Sequence, residues 1–247
     1  GYLAGQKGTT ASRNVMIGPR AAYSVTTGSS NVAVGKDAIY YLTTGTHNTA
    51  TGQAALLNTS TGTFNTGSGS YALYTNTTGC NNVAVGGCSL YANTTGSNNV
   101  GVGFKALLTN TCGQKNVAVG LCAMGKNTTG SKNAGIGGWA LGCNTTGACN
   151  TASGHYSLYC NSTGNRNTAS GYLAMFMNTT GYGNTSIGRI SLYNNTTGHY
   201  NTALGSVSMA ANTTGAKNAA FGAYSLRQNT TGSCNSASGY YANNKNT

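Results

Sequence analysis

The chain has 247 residues, of which 6% are charged, against about 25% in an ordinary soluble domain. It carries 13 Lys and Arg but a single acidic residue, Asp37, for a formal net charge of +12. One carboxylate side chain excludes paired-carboxylate catalysis. No apolar stretch approaches the roughly 18 residues of a membrane-spanning helix, so no membrane insertion is expected.

In chain order, the first regular feature is a glycine series at Gly1, Gly18, Gly35 and Gly52, continuing to Gly239 in steps of 17 residues. An asparagine stands four residues before each of these glycines from Asn14 and Asn31 to Asn235. A second glycine series, from Gly28 to Gly232, closes Asn-Thr-Thr-Gly and its variants with the same period. The consensus unit is x-x-N-[TV]-A-x-G-x-x-[AS]-[LM]-Y-x-N-T-T-G, and its strict period gives every unit an equivalent environment. Helical repeats need about 33 residues or more. Within the unit, Asn31 to Gly35 and Asn82 to Gly86 alternate as strands do. A second short strand is expected at pieces such as Ala72-Leu73-Tyr74. Glycine and Asn-Thr-Thr-Gly supply the corners.

These features predict an all-β fold, a parallel β-solenoid running through residues 1–247 as one continuous array. With a 17-residue coil the chain makes about 14 coils. At about 4.8 Å per coil they would form a rod roughly 70 Å long.

In such a coil, residues 17 apart stack, so the sequence is read down columns. The column Asn31, Asn48, Asn65, Asn82, Asn99 and Asn116 predicts a structural amide ladder beside the glycines Gly35, Gly52, Gly69 and Gly86. Leu56, Leu73, Leu90, Leu107, Met124, Leu141 and Leu158 form the expected core filler. Val34, Val85, Val119, Ile136 and Ile187 alternate with Thr51, Ser68, Ser153 and Ser170 along the strand column. Charges avoid the strand altogether, so both of its faces are uncharged, and the outer one is expected to pack side by side with other copies of the chain. The chain begins at the strict glycine and stops inside a corner at Asn246-Thr247, as a segment of a longer repetitive polypeptide would.

Units such as N-N-V-A-V-G-G-C-S-L-Y-A-N-T-T-G-S at residues 81–97 resemble the N-T-A-x-G-x-x-A-L repeats of phage tail-fibre-like proteins. They are more distantly similar to the N-S-x-A-x-G repeats of trimeric autotransporter adhesin heads. The resemblance implies a surface-exposed, trimeric fibre that attaches to something. The 17-residue unit departs from the shorter adhesin-head repeat.

Candidate contact residues follow from the same grid. Arg13, Lys115, Lys132, Arg166 and Lys217, with His47, share the column just before the laddered Asn. They are the candidates for an anionic surface such as a cell-surface glycan. Nucleic acid is disfavoured, because the basic residues are sparse and match no groove. Tyr23, Tyr40, Tyr74, Tyr91, Tyr159, Phe176 and Tyr193 form a ring column read as packing, since Leu57 and Leu108 substitute in it. Trp139, Tyr156, Tyr224 and Tyr241 on another column are the candidates for sugar contact. Of eight cysteines, only Cys143 and Cys160 share a column on adjacent coils, within disulfide range. No ligand cluster, cofactor motif or nucleophile triad is recognised, so no metal, cofactor or catalytic residue is assigned.

The expected function is therefore non-enzymatic: an extracellular structural or adhesive fibre on a virion or cell surface, homo-oligomeric with a trimer favoured. The alternative is a self-assembling extracellular filament. Ice binding by threonine ladders is a remote alternative. Adjacent threonines such as Thr77-Thr78 point to opposite faces, which leaves one column for ice.

Overall fold

The structure, a computed structural model, describes residues 1–244, so the expected corner at Asn246-Thr247 lies outside the described residues. The chain forms two compact units, Gly1–Thr129 and Gly130–Thr247. The first contains β1 (Val15–Ile17), β2 (Val32–Val34), β3 (Thr49–Thr51), β4 (Thr66–Ser68), β5 (Val83–Val85), β6 (Val100–Val102) and β7 (Val117–Val119). The second contains β8 (Ala134–Ile136), β9 (Thr151–Ser153), β10 (Thr168–Ser170), β11 (Thr185–Ile187), β12 (Thr202–Leu204), β13 (Ala219–Phe221) and β14 (Ser236–Ser238). Within each unit every strand pairs parallel with the next, residue i against i+17 without a slip. The described residues are all-β, and each unit is a parallel β-solenoid with the expected 17-residue coil.

Each coil has one three-residue strand rather than two or three. The Ala72-Leu73-Tyr74 piece is not a strand: Ala72 and Leu73 are both fully buried, whereas adjacent strand residues face opposite sides. The chain instead curls inward there, with Tyr71 at φ 59° and Leu73 at φ 52°. Left-handed backbone costs a non-glycine residue about 1–2 kcal/mol. Burial of a leucine side chain returns about 1.5–3 kcal/mol. The bend is also tied to its neighbours by Leu73 N–H to Ser89 O (3.0 Å) and Tyr71 N–H to Gln53 O (2.9 Å).

The core is a single file of side chains. Leu56, Leu73, Leu90, Leu107 and Met124 in the first unit, and Leu141, Leu158, Met175, Leu192, Met209 and Leu226 in the second, are fully buried. Beside them lie the strand midpoints Ala33, Ala50, Ala84 and Ala118, and Ala169, Ala203 and Ala220. Close coil stacking explains the strict glycine. At Gly52, φ is +134° and an added Cβ would lie 2.7 Å from the Gly69 carbonyl.

Candidate functional site

One amide ladder runs through the coils of each unit, and a second joins it from Asn76 onward. In the first unit Asn48 N–H donates to Asn31 Oδ1 (2.9 Å), and Asn48 Nδ2 donates to Gly62 O (2.8 Å). The same pair of bonds recurs through Asn65, Asn82 and Asn99, and Asn116 N–H continues the series onto Asn99 Oδ1. In the second unit it runs from Asn133 to Asn218, with Asn235 N–H donating to Asn218 Oδ1. Gly35, Gly52, Gly69 and Gly86 each donate N–H to the preceding strand at 2.7–2.8 Å. These predicted structural residues are therefore brought together.

The second ladder was not singled out by the sequence analysis. Asn93 Nδ2 donates to Asn76 Oδ1 (2.7 Å), Asn110 Nδ2 to Asn93 Oδ1 (2.8 Å) and Asn127 Nδ2 to Asn110 Oδ1 (2.8 Å). In the second unit Asn161, Asn178, Asn195, Asn212 and Asn229 continue the pattern from Asn144. The asparagine of Asn-Thr-Thr-Gly is thus a buried structural amide as well as a corner residue.

The basic column is exposed. Arg13, Lys115, Lys132, Arg166 and Lys217 all stand at left-handed φ of 57–60° with their side chains in solvent. Within each unit they are spaced out by other residues. Cys149 lies between Lys132 and Arg166, and His47 stacks on Phe64 at 4.7 Å. Lys115 and Lys132 belong to different units. The chain's one acidic side chain, Asp37, is held by Arg20 at 2.7 Å, which raises the Arg20 pKa. None of the basic column therefore has a side-chain carboxylate as partner. Arg166 lines a 340 Å³ groove with Ala148, Cys149, Asn165 and Tyr182.

The ring columns stack as expected, Tyr23 on Tyr40 and Tyr74 on Tyr91 at 5.0 Å, and Phe176 on Tyr159 and Tyr193 at 5.4 and 5.3 Å. The sugar-contact candidates stack in the same way: Trp139 on Tyr156 at 5.3 Å and Tyr224 on Tyr241 at 4.7 Å. Rings stacked along the coil axis cover one another's faces and turn edges outward. Arg227 further occupies the Tyr224 ring at 5.5 Å. A sugar would meet these rings mainly at their edges.

The expected Cys143–Cys160 bridge is not formed; all eight cysteines are thiols. In an in-register stack the two Cβ atoms lie about one coil spacing, ~4.8 Å, apart, beyond the ~3.5–4.5 Å a disulfide takes. The Tyr159 hydroxyl hydrogen-bonds to the Cys143 side chain instead, and that contact raises the Tyr159 pKa.

The remaining uncommitted surface is the outward side of the strands. Strand midpoints are buried while the flanking residues point out, so each strand contributes two outward columns. In the first unit these carry Val83, Val85, Val100, Val102, Val117 and Val119; in the second they carry Thr151, Ser153, Thr168 and Ser170. Of the Thr77-Thr78 pair considered for ice contact, Thr77 is structural, because its Oγ1 donates to Thr94 O (3.0 Å). The hydroxyls that share a face are in the strand, and the signal for them was the alternating N-T-A-[ST]-G.

Among the described residues no cluster of three His, Cys, Asp or Glu side chains could hold a metal ion, and no helix is long and apolar enough to cross a membrane. No protein-family model, curated protein or solved structure matches the chain.

Proposed function

We propose that the chain is a non-enzymatic structural or adhesive component of an extracellular fibre on a virion or cell surface, assembled side by side with copies of itself, three per fibre. The observation that carries this reading is the uncharged outward face of the first unit's strands. Val85, Val117 and Val119 there are 36–40% exposed, and Ile17 is 59% exposed. Exposed β-branched apolar columns in register are suited to a partner with the same repeat, because each coil then meets an equivalent coil. The strand face is too narrow to make a stable interface alone, which takes about 800 Å² from each partner. The flanking Tyr and Leu columns would have to contribute the rest. The side chains most often used in catalysis also support a structural role. Asp37 is paired with Arg20, and His47, His155 and His199 each stack on an aromatic ring. The exposed basic columns supply an adhesive surface for a polyanionic cell-surface glycan.

Native light scattering paired with negative-stain imaging tests the assembly. Discrete particles of three chains are expected. Open-ended fibres of variable length would replace this reading with that of a self-assembling filament, and a monodisperse monomer would overturn both.

A further inference from the structure

The outward face of β9 and β10 carries a hydroxyl at each of its four positions. Thr151, Ser153 and Thr168 are exposed and Ser170 is half-buried, while Ala152 and Ala169 between them are buried. The first column continues with Thr185 and Thr202. Parallel in-register pairing, Thr168 against Thr151 and Ser170 against Ser153, fixes these side chains as a small rectangular array. Its edges are about 6.7 Å along the strand and about 4.8 Å between coils. Among the described residues, the hydroxyls of Thr151, Ser153, Thr168 and Ser170 have no hydrogen-bond partner. On β3 and β4, by contrast, Thr51 Oγ1 donates to Ser68 Oγ (3.1 Å), which ties up that pair.

We propose that the β9–β10 face binds the surface of an ice crystal, its hydroxyls hydrogen-bonding to ordered water and its threonine methyls lying against the lattice between them. A regular array of uncommitted hydroxyl and methyl groups on a neutral surface is complementary to a neutral, periodic water lattice. The chain's +12 charge is carried on other columns, so a polyanion would be drawn elsewhere. A second copy of the chain fits poorly. The array covers on the order of 200 Å², against about 800 Å² per partner in a stable interface. Docking protein on it would also strip water from four hydroxyls with no partner in view. The proposal stands independently of the fibre reading.

The test is partitioning of the purified chain into slowly growing ice, together with inhibition of ice recrystallisation. The wild-type chain is expected to concentrate in the ice. Thr168→Tyr, and separately Thr168→Lys in case the ring disturbs folding, should each lower that enrichment at least tenfold with the circular dichroism spectrum unchanged. Leu121→Tyr, at an exposed turn of the first unit whose column already holds Phe104, should leave it intact. The proposal is overturned if the wild-type chain stays in the liquid, or if both Thr168 variants enter ice as it does. If the Thr168 variants lower the native mass while the wild-type chain ignores ice, a second copy occupies the face and the ice reading falls.

Discussion

The inner corner of the coil is built in two ways. In the early coils of the first unit it is filled by Val25, Leu42 and Thr59. In the second unit the same position is Asn144, Asn161, Asn178, Asn195, Asn212 and Asn229. All are buried, so the backbone accepts either a hydrophobe or an amide at this point. A hydrophobe is satisfied by volume alone. An amide there needs the amides of the adjacent coils: Asn161 donates to Asn144 Oδ1 and Gly164 O, and accepts from Asn178. The apolar corner is a local solution repeated coil by coil, whereas the amide corner is a chain of mutual dependence.

The sharpest way to break that comparison is Asn161→Ala. It removes the Asn161 partner of Asn144 Oδ1 and of one Asn178 N–H, while the Gly164 carbonyl still accepts from Asn150 Nδ2. Each buried group left unmet costs about 1–3 kcal/mol, which suggests a loss of roughly 2–4 kcal/mol. Repeat arrays distribute stability by nearest neighbours. The loss should therefore appear as faster amide hydrogen exchange in the coils on either side rather than throughout the unit. Asn161→Leu, which copies the Leu42 corner, should not rescue it, because a lone hydrophobe within a ladder leaves the same neighbours unmet. Equal protection in wild type and both variants would mean that the ladder contributes no stability.

The junction between the two designs offers a gain. Thr59 is the last non-asparagine before the ladder begins at Asn76, and its buried Oγ1 has no hydrogen-bond partner. Thr59→Asn would extend the ladder by one coil, accepting from Asn76 Nδ2 and donating to the Gly62 carbonyl. A gain of about 1 kcal/mol is expected, the usual net worth of a hydrogen bond, read as slower exchange around residues 56–76. A loss instead would mean that the corner at Thr59 is too small for an amide.

The period, the strand, the leucine file and the first ladder were legible because each depends on residue type recurring at fixed spacing. Other features were not, for physical reasons that can be located. Leu73 and Leu90 adopt left-handed φ of 51–52°, yet leucine is not a residue that announces this conformation. Burial selected the side chain, and cross-coil hydrogen bonds impose the backbone. The second amide ladder was hidden because Asn-Thr-Thr-Gly also satisfies every rule for a turn. The way Trp139 and Tyr156 stack face to face depends on side-chain rotamers, about which spacing says nothing. The outward Thr151-Ala152-Ser153 array is present in the alternation, but the Thr-Thr corner recurs in more coils and masks it.

The smallest expected effect concerns another contrast between coils, the thiol beside a ring. Hydrogen bonding of the Tyr159 hydroxyl with Cys143, then the charge of Cys143, burial of the ring and the charge of Cys160 hold its pKa above the usual tyrosine value. Its proton is bound more tightly in the folded chain than in the unfolded one. The contribution to stability is therefore complete below the ordinary tyrosine pKa and disappears as pH rises through the higher folded value. Because the ring is only half-buried, the effect is small. Isotope-labelled tyrosine NMR should show Tyr159 ionising above the ordinary tyrosine range. Cys143→Ala should return Tyr159 towards the ordinary range. If oxidant produces the same return as Cys143→Ala, a bridge to Cys160 has formed at the expense of the phenol contact. If Tyr159 already titrates normally under reducing conditions, the hydrogen bond to Cys143 is not maintained in solution.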